Sequence, residues 1–100
     1  MAKKKKAFQL PSQEDYPKSI TYDSETYHIV FKKHMKAFAT TNSNSRIIKI
    51  RDGLPPRLLL ATLIHEILHV IEFEYPLKLK HKTVFKLEEA ITEIILDNFL

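Results

Sequence analysis

A chain of 100 residues, 44% hydrophobic and 28% charged, has the makeup of one folded domain; this excludes wholesale disorder and leaves little material for a second core. Cysteine is absent, so disulfide scaffolds, thiolate metal sites and cysteine nucleophiles are excluded together. The net charge of +4 lies entirely in the first third: residues 1–36 hold eight lysines against four acids, residues 37–100 eight basic against eight acidic side chains.

The chain begins with Lys3, Lys4, Lys5 and Lys6, and residues 1–17, interrupted by Pro11 and Pro17, read as a basic flexible tail ahead of a domain spanning 18–100. Such an arm can make weak contact with nucleic acid or an acidic protein through counterion release. Four lysines without arginine or interleaved aromatics carry little specificity, and a solvated tail is the plainer expectation. The apolar residues after the lysines stop at Pro11, too soon for a signal peptide. The longest apolar stretch, 58–64, runs into His65 and Glu66, too short for a membrane span. A cytoplasmic protein is expected.

From Ser19 to Lys33 the pattern is that of β-strands. Tyr22, Tyr27, Ile29 and Phe31 alternate with polar positions, and Asp23-Ser24-Glu25 marks a turn. Residues 35–40 offer a further short strand, Thr41 to Ser45 a turn cluster, and Arg46 to Arg51 another strand. Asp52-Gly53 breaks that strand, and Pro55 and Pro56 suit the first turn of a helix, where a missing N–H costs nothing. Helices are predicted from about Arg57 to Glu74 and from about Thr83, as N-cap, to the C-terminus. Strands first and helices afterwards predict an α+β fold: a small antiparallel sheet of three or four strands, then two packed helices, the first buried.

The first helix carries H-E-I-L-H. Helical spacing sets His65 and His69 one turn apart on one face, where two imidazoles can reach one metal ion. Glu66 sits beside them, placed to take a proton from a water without being a ligand. Apolar residues occupy most of the helix surface, and Thr62, His65, Glu66, His69 and Glu72 fall in one stripe about 120° wide. Two histidines and a glutamate along the seam of a buried helix are costly unless a ligand satisfies them. The plain alternative is an amphipathic helix whose polar stripe faces water.

A third ligand has several sources: Glu88, Glu89 and Glu93 on the second helix, and His81 just before it. With the apolar face centred on Val84, Leu87, Ile91, Ile94 and Ile95, Glu88 falls at its edge while Glu89 and Glu93 point away, so helical phase favours Glu88. His81, in a run of lysines, is expected to be exposed, with a substitute-ligand or supporting role as the alternative. His28, Tyr27 and Tyr75 are expected to pack or face solvent rather than stabilise an oxyanion.

The run L-I-H-E-I-L-H-V-I-E-F-E-Y, then L-K-L-K-H and L-E-E-A-I-T-E-I-I-L-D-N, resembles the short zincin-type metallopeptidase domains of phages and bacteria, distant relatives of the ImmA/IrrE and SprT-like peptidases. The resemblance covers residues 20–98 and is strongest from Thr62 onward. It implies a metallopeptidase of a bacterium or phage-infected cell, acting on a peptide or protein substrate, with His65 and His69 as zinc ligands, Glu66 as general base and Glu88 as third ligand. The run Glu89 to Glu93 is also similar to the glutamate-ligand segment of thermolysin-like gluzincins, which would move that ligand to Glu89. In zincins the strand before the helix pairs with extended substrate, a role that falls here to residues 46–50. Against this stands a non-catalytic reading: a metal-stabilised binding module that contacts nucleic acid or an acidic protein through its lysine arm.

Overall fold

Tight turns at polar residues define the sheet. Asp23 and Ser24 both take left-handed backbone conformations (φ 53° and 68°), the two-residue geometry whose twist suits an antiparallel hairpin. They join β1 (Ser19–Tyr22) to β2 (Glu25–Lys32), with Tyr22 opposite Glu25 and Ser19 opposite His28. A second hairpin links β3 (Ala39–Asn42) to β4 (Ile47–Arg51). Its turn is closed by Asn42 Oδ1, which accepts the N–H groups of Asn44 (2.9 Å) and Ser45 (3.0 Å). Helices α1 (Pro56–Glu74) and α2 (His81–Asn98) follow. The computed structural model describes residues 10–75 and 77–99, so Lys3, Lys4, Lys5 and Lys6 lie outside the described residues.

The protein is α+β, a four-stranded sheet followed by two packed helices, as the order of elements predicts. The sheet is mixed rather than antiparallel throughout. Its order is β1-β2-β4-β3, with β2 and β4 parallel from His28 opposite Ile47 to Lys32 opposite Arg51, and both outer pairs antiparallel. Burial explains the arrangement. Strands β2 and β4 carry the inward residues Tyr27, Ile29, Ile48 and Ile50, and both gain by lying centrally under α1. The short polar β3 is suited to the edge. Residues 33–46 are long enough for the crossover that parallel neighbours need.

Two element boundaries also differ from expectation. Thr41 and Asn42 belong to β3 rather than to a turn. Helix α2 starts at His81, two residues before the expected cap, because the Lys80 carbonyl accepts the N–H groups of both Thr83 (2.9 Å) and Val84 (3.0 Å).

Helix α1 lies between two partners. Leu59, Leu63 and Val70 pack on the sheet, while Leu60, Ile64 and Leu68 meet Val84, backed by Ile91, Ile95 and Leu96. The buried face of α2 is rotated from the expected one: Thr92 is buried with Val84, while Leu87 and Ile94 are exposed, which turns Glu88 further toward α1. Tyr27 is buried and donates its hydroxyl to Glu74 Oε2 (2.7 Å), tying the end of α1 to β2. Burial, with the Glu74 carboxylate, pushes its pKa up to about 12. Residues 10–17 contribute as well: Leu10 packs on the α1–α2 cluster, and the Gln13 amide donates to Asp52 Oδ1 (2.7 Å) and accepts from Gly53 N–H (3.1 Å). Among the described residues, no helix is long and apolar enough to cross a membrane.

Candidate metal centre

The polar stripe of α1 lies where the helix passes between the sheet edge and α2, and its residues divide into two groups. His65 and His69, one turn apart, turn toward α2. Their Nε2 atoms face each other 3.2 Å apart, and their Nδ1 atoms point to separate carboxylates: His65 to Glu88 Oε1 (2.7 Å), His69 to Glu72 Oε1 (3.0 Å). With each Nδ1 donating to its carboxylate, a neutral ring presents its Nε2 lone pair to the other. Two lone pairs at that distance repel unless a proton or a cation lies between them.

His81, the first residue of α2, completes the group. Its ring centroid is 5.8 Å from that of His65 and 5.6 Å from that of His69, and one ligand nitrogen from each of the three lies within 4.8 Å of the others. These three histidines can hold a metal ion. Three imidazoles with an open fourth position make a donor set suited to a divalent transition metal, and carboxylates on Nδ1 fix the tautomer such a site requires. Glu72 also reaches forward, accepting the Leu79 N–H on Oε2 (3.3 Å), so one carboxylate links a ligand ring to the loop leading to His81. Phe73 stacks on His69, and Phe85 lies 5.0 Å from His65 and 5.5 Å from His81, ring to ring, giving the centre an aromatic collar.

Glu66 turns the other way. It is only 5% exposed, and its Oε1 accepts the hydroxyl of Thr41 on β3 at 2.6 Å. A cleft of about 250 Å³ opens beside it, with His65, Glu66 and Glu88 as its acid–base groups and apolar side chains around them. A buried carboxylate with a single neutral donor is weakly solvated and adjoins the space where a small polar molecule would sit.

Of the residues expected from the sequence, His65 and His69 lie in one cluster and Glu88 lies against His65, while Glu66 turns to Thr41 and shares the cleft lining with His65 and Glu88. Glu88 occupies the position of a supporting acceptor, on the ring nitrogen away from His69, while His81 occupies that of a third donor. Glu93 pairs with Arg57 (2.7 Å) at the exposed edge of α2, away from the histidines. His28 is exposed and Tyr75 packs edge-on against Tyr22. The sequence did hold a signal for His81: with Phe85 and Glu88 it recurs at helical spacing on one face of α2, once the helix is started at position 81. Thr41 had no such signal, since its part depends on which strand takes the sheet edge.

No family model, curated protein or solved structure matches the chain.

Proposed function

We propose that the protein is a zinc-dependent hydrolase of peptide bonds, with His65, His69 and His81 as the metal ligands and Glu66 as the general base. The observation that carries this is the pair of Nε2 atoms facing each other at 3.2 Å while both Nδ1 atoms are engaged by carboxylates. Two nitrogens bound tetrahedrally to one zinc ion at about 2.0–2.1 Å lie about 3.3 Å apart, so the spacing suits that ion with little adjustment. Glu88 and Glu72 then act through the histidines they orient.

Zinc supplies Lewis acidity that makes a water nucleophilic near neutral pH and polarises a carbonyl. The chain's own groups do the rest. Glu66 takes the water's proton as its oxygen bonds to the carbonyl carbon, and returns a proton to the amine as the C–N bond breaks. Thr41 holds the Glu66 carboxylate by one oxygen and leaves the other for this transfer. Because β4 is paired on both sides, residues 46–50 have no free edge for an extended substrate; β3, which carries Thr41, has one beside the cleft.

The general base is what separates an enzyme from a metal-stabilised module that binds a partner without chemistry. The full chain should take up about one zinc per molecule by native mass spectrometry. Glu66→Gln should keep that zinc and lose cleavage of an unfolded protein panel by a factor on the order of 100. Equal cleavage by wild type and variant at matched zinc would remove Glu66 from the reaction; cleavage by neither would favour the binding module.

A further inference from the structure

We infer that the cleft beside the histidines is a side-chain pocket selecting a large apolar residue next to the scissile bond, and that Arg51 is the positioning residue that holds one of its walls. The inference rests on the hydrolase reading of the same site. Polar groups gather around His65 and Glu66, while Phe38 and Ala39 from the sheet edge, Leu58 from the first turn of α1 and Phe85 from α2 supply the apolar lining. The two phenylalanines are the most exposed of these, Phe38 at 47% and Phe85 at 57%, one on each of the two elements that bound the cleft. Their rings are apolar surface left in water beside a reactive centre, and covering them is favourable for an apolar ligand group. An acidic side chain is disfavoured there, because the charged side chains of the lining, Glu66 and Glu88, are both carboxylates.

Phe38 precedes β3 in a segment without regular structure, yet it is tied down. The Arg51 guanidinium lies 5.1 Å from the Phe38 ring centroid. Its Nε donates to the Met35 carbonyl at 3.0 Å, and Nη2 donates to the Lys36 carbonyl. Arg51 itself ends β4, where its N–H donates to the Phe38 carbonyl at 2.7 Å. One side chain at the end of a central strand thus fixes two carbonyls of the preceding segment and the ring that follows them. The pocket wall is built in before a ligand arrives, which reduces the ordering cost of binding.

The test uses the full chain loaded with zinc and three probes sharing one metal-gripping group: N-acetylphenylalanine hydroxamate, N-acetylglycine hydroxamate and acetohydroxamate, each titrated calorimetrically. The phenylalanine compound should bind at least about tenfold more tightly than the glycine compound, as expected for burying one large apolar side chain. Phe38→Ala, at an exposed position away from the histidines, should bring that ratio to within about threefold at unchanged zinc content. Arg51→Gln should lower the ratio while leaving acetohydroxamate affinity as it was, a split that general destabilisation would not produce. If wild type binds acetohydroxamate but takes the phenylalanine and glycine compounds equally, the pocket is overturned and the hydrolase reading stands. If the chain takes up no zinc, or the loaded chain binds none of the three, the reading and the pocket fall together.

Discussion

The two long sides of α1 have the same apolar composition and opposite tasks. Toward the sheet, Leu59, Leu63 and Val70 meet Tyr27, Ile29, Ile48 and Ile50, and the Tyr27 hydroxyl reaches the Glu74 carboxylate. Toward α2, Leu60, Ile64 and Leu68 meet Val84, but beside them lie three histidines with one ring nitrogen of each within 4.8 Å of the others. The sheet side is held mainly by apolar packing, with the Tyr16 hydroxyl buried there without a partner among the described residues. The α2 side carries the histidine group that can hold a metal ion. Stability is therefore expected to come from one side and ligand dependence from the other.

The largest effect should come from breaking the sheet side. Ile48 is fully buried, and Ile48→Ala should cost about 2–5 kcal/mol of unfolding free energy whether zinc or a chelator is present. His81→Ala should behave in the opposite manner, leaving the chelated protein's melting temperature nearly unchanged and removing the rise that zinc gives. Denaturant and thermal unfolding of each variant, with and without zinc, measure both. A zinc-dependent loss in Ile48→Ala would show that the two sides are one cooperative unit.

Smaller effects sharpen the division within the metal side. Glu88→Gln should weaken zinc affinity by about tenfold through the loss of the acceptor on His65, while Glu89→Gln, on the exposed side of α2, should change it little. His81→Ala should weaken it more than Glu88→Gln does. Competitive titration against a zinc-binding dye gives the order, and a larger loss in Glu88→Gln would make that glutamate the third ligand. The smallest effect is confined to alkaline solution. Tyr27 has its folded-state pKa raised from 10.0 to about 12, so its contribution is complete below pH 10 and is lost as pH rises toward 12. Tyr27→Phe should flatten this part of the stability curve, and an equally steep decline in the variant would assign it to other groups.

Much of this was legible in the sequence where the determining interactions are local. Turn chemistry located both hairpins, the prolines and the apolar period located α1, and the i, i+4 histidines with their glutamate located the centre. What escaped was set by partners distant in sequence. Nothing in R-I-I-K-I-R says that β4 takes a central place beside β2, and hence that β3 and Thr41 lie at the edge above Glu66. The cap of α2 lies three residues before Thr83, although Thr83 is a better cap by type than Lys80. A cap at Thr83 moves His81 from the helix into the loop and leaves Glu88 as the favoured donor. The rotation of α2 that exposes Leu87 and Ile94 belongs to the same class, since a helix's own apolar pattern cannot know which polar groups its neighbour needs covered.

The distribution of the site along the chain bears on the order in which its parts form. His65, His69, Glu72, His81 and Glu88 all lie within one helical hairpin, although the His65–Glu88 contact itself spans 23 residues. The Thr41–Glu66 hydrogen bond spans 25 residues and exists only once β3 has paired with β4 and the sheet has met α1. The histidine cluster and the Thr41–Glu66 contact thus differ in the elements they need, a helical hairpin for one and the sheet with α1 for the other. In a chain emerging from synthesis, Thr41 and Glu66 appear before His81 and Glu88.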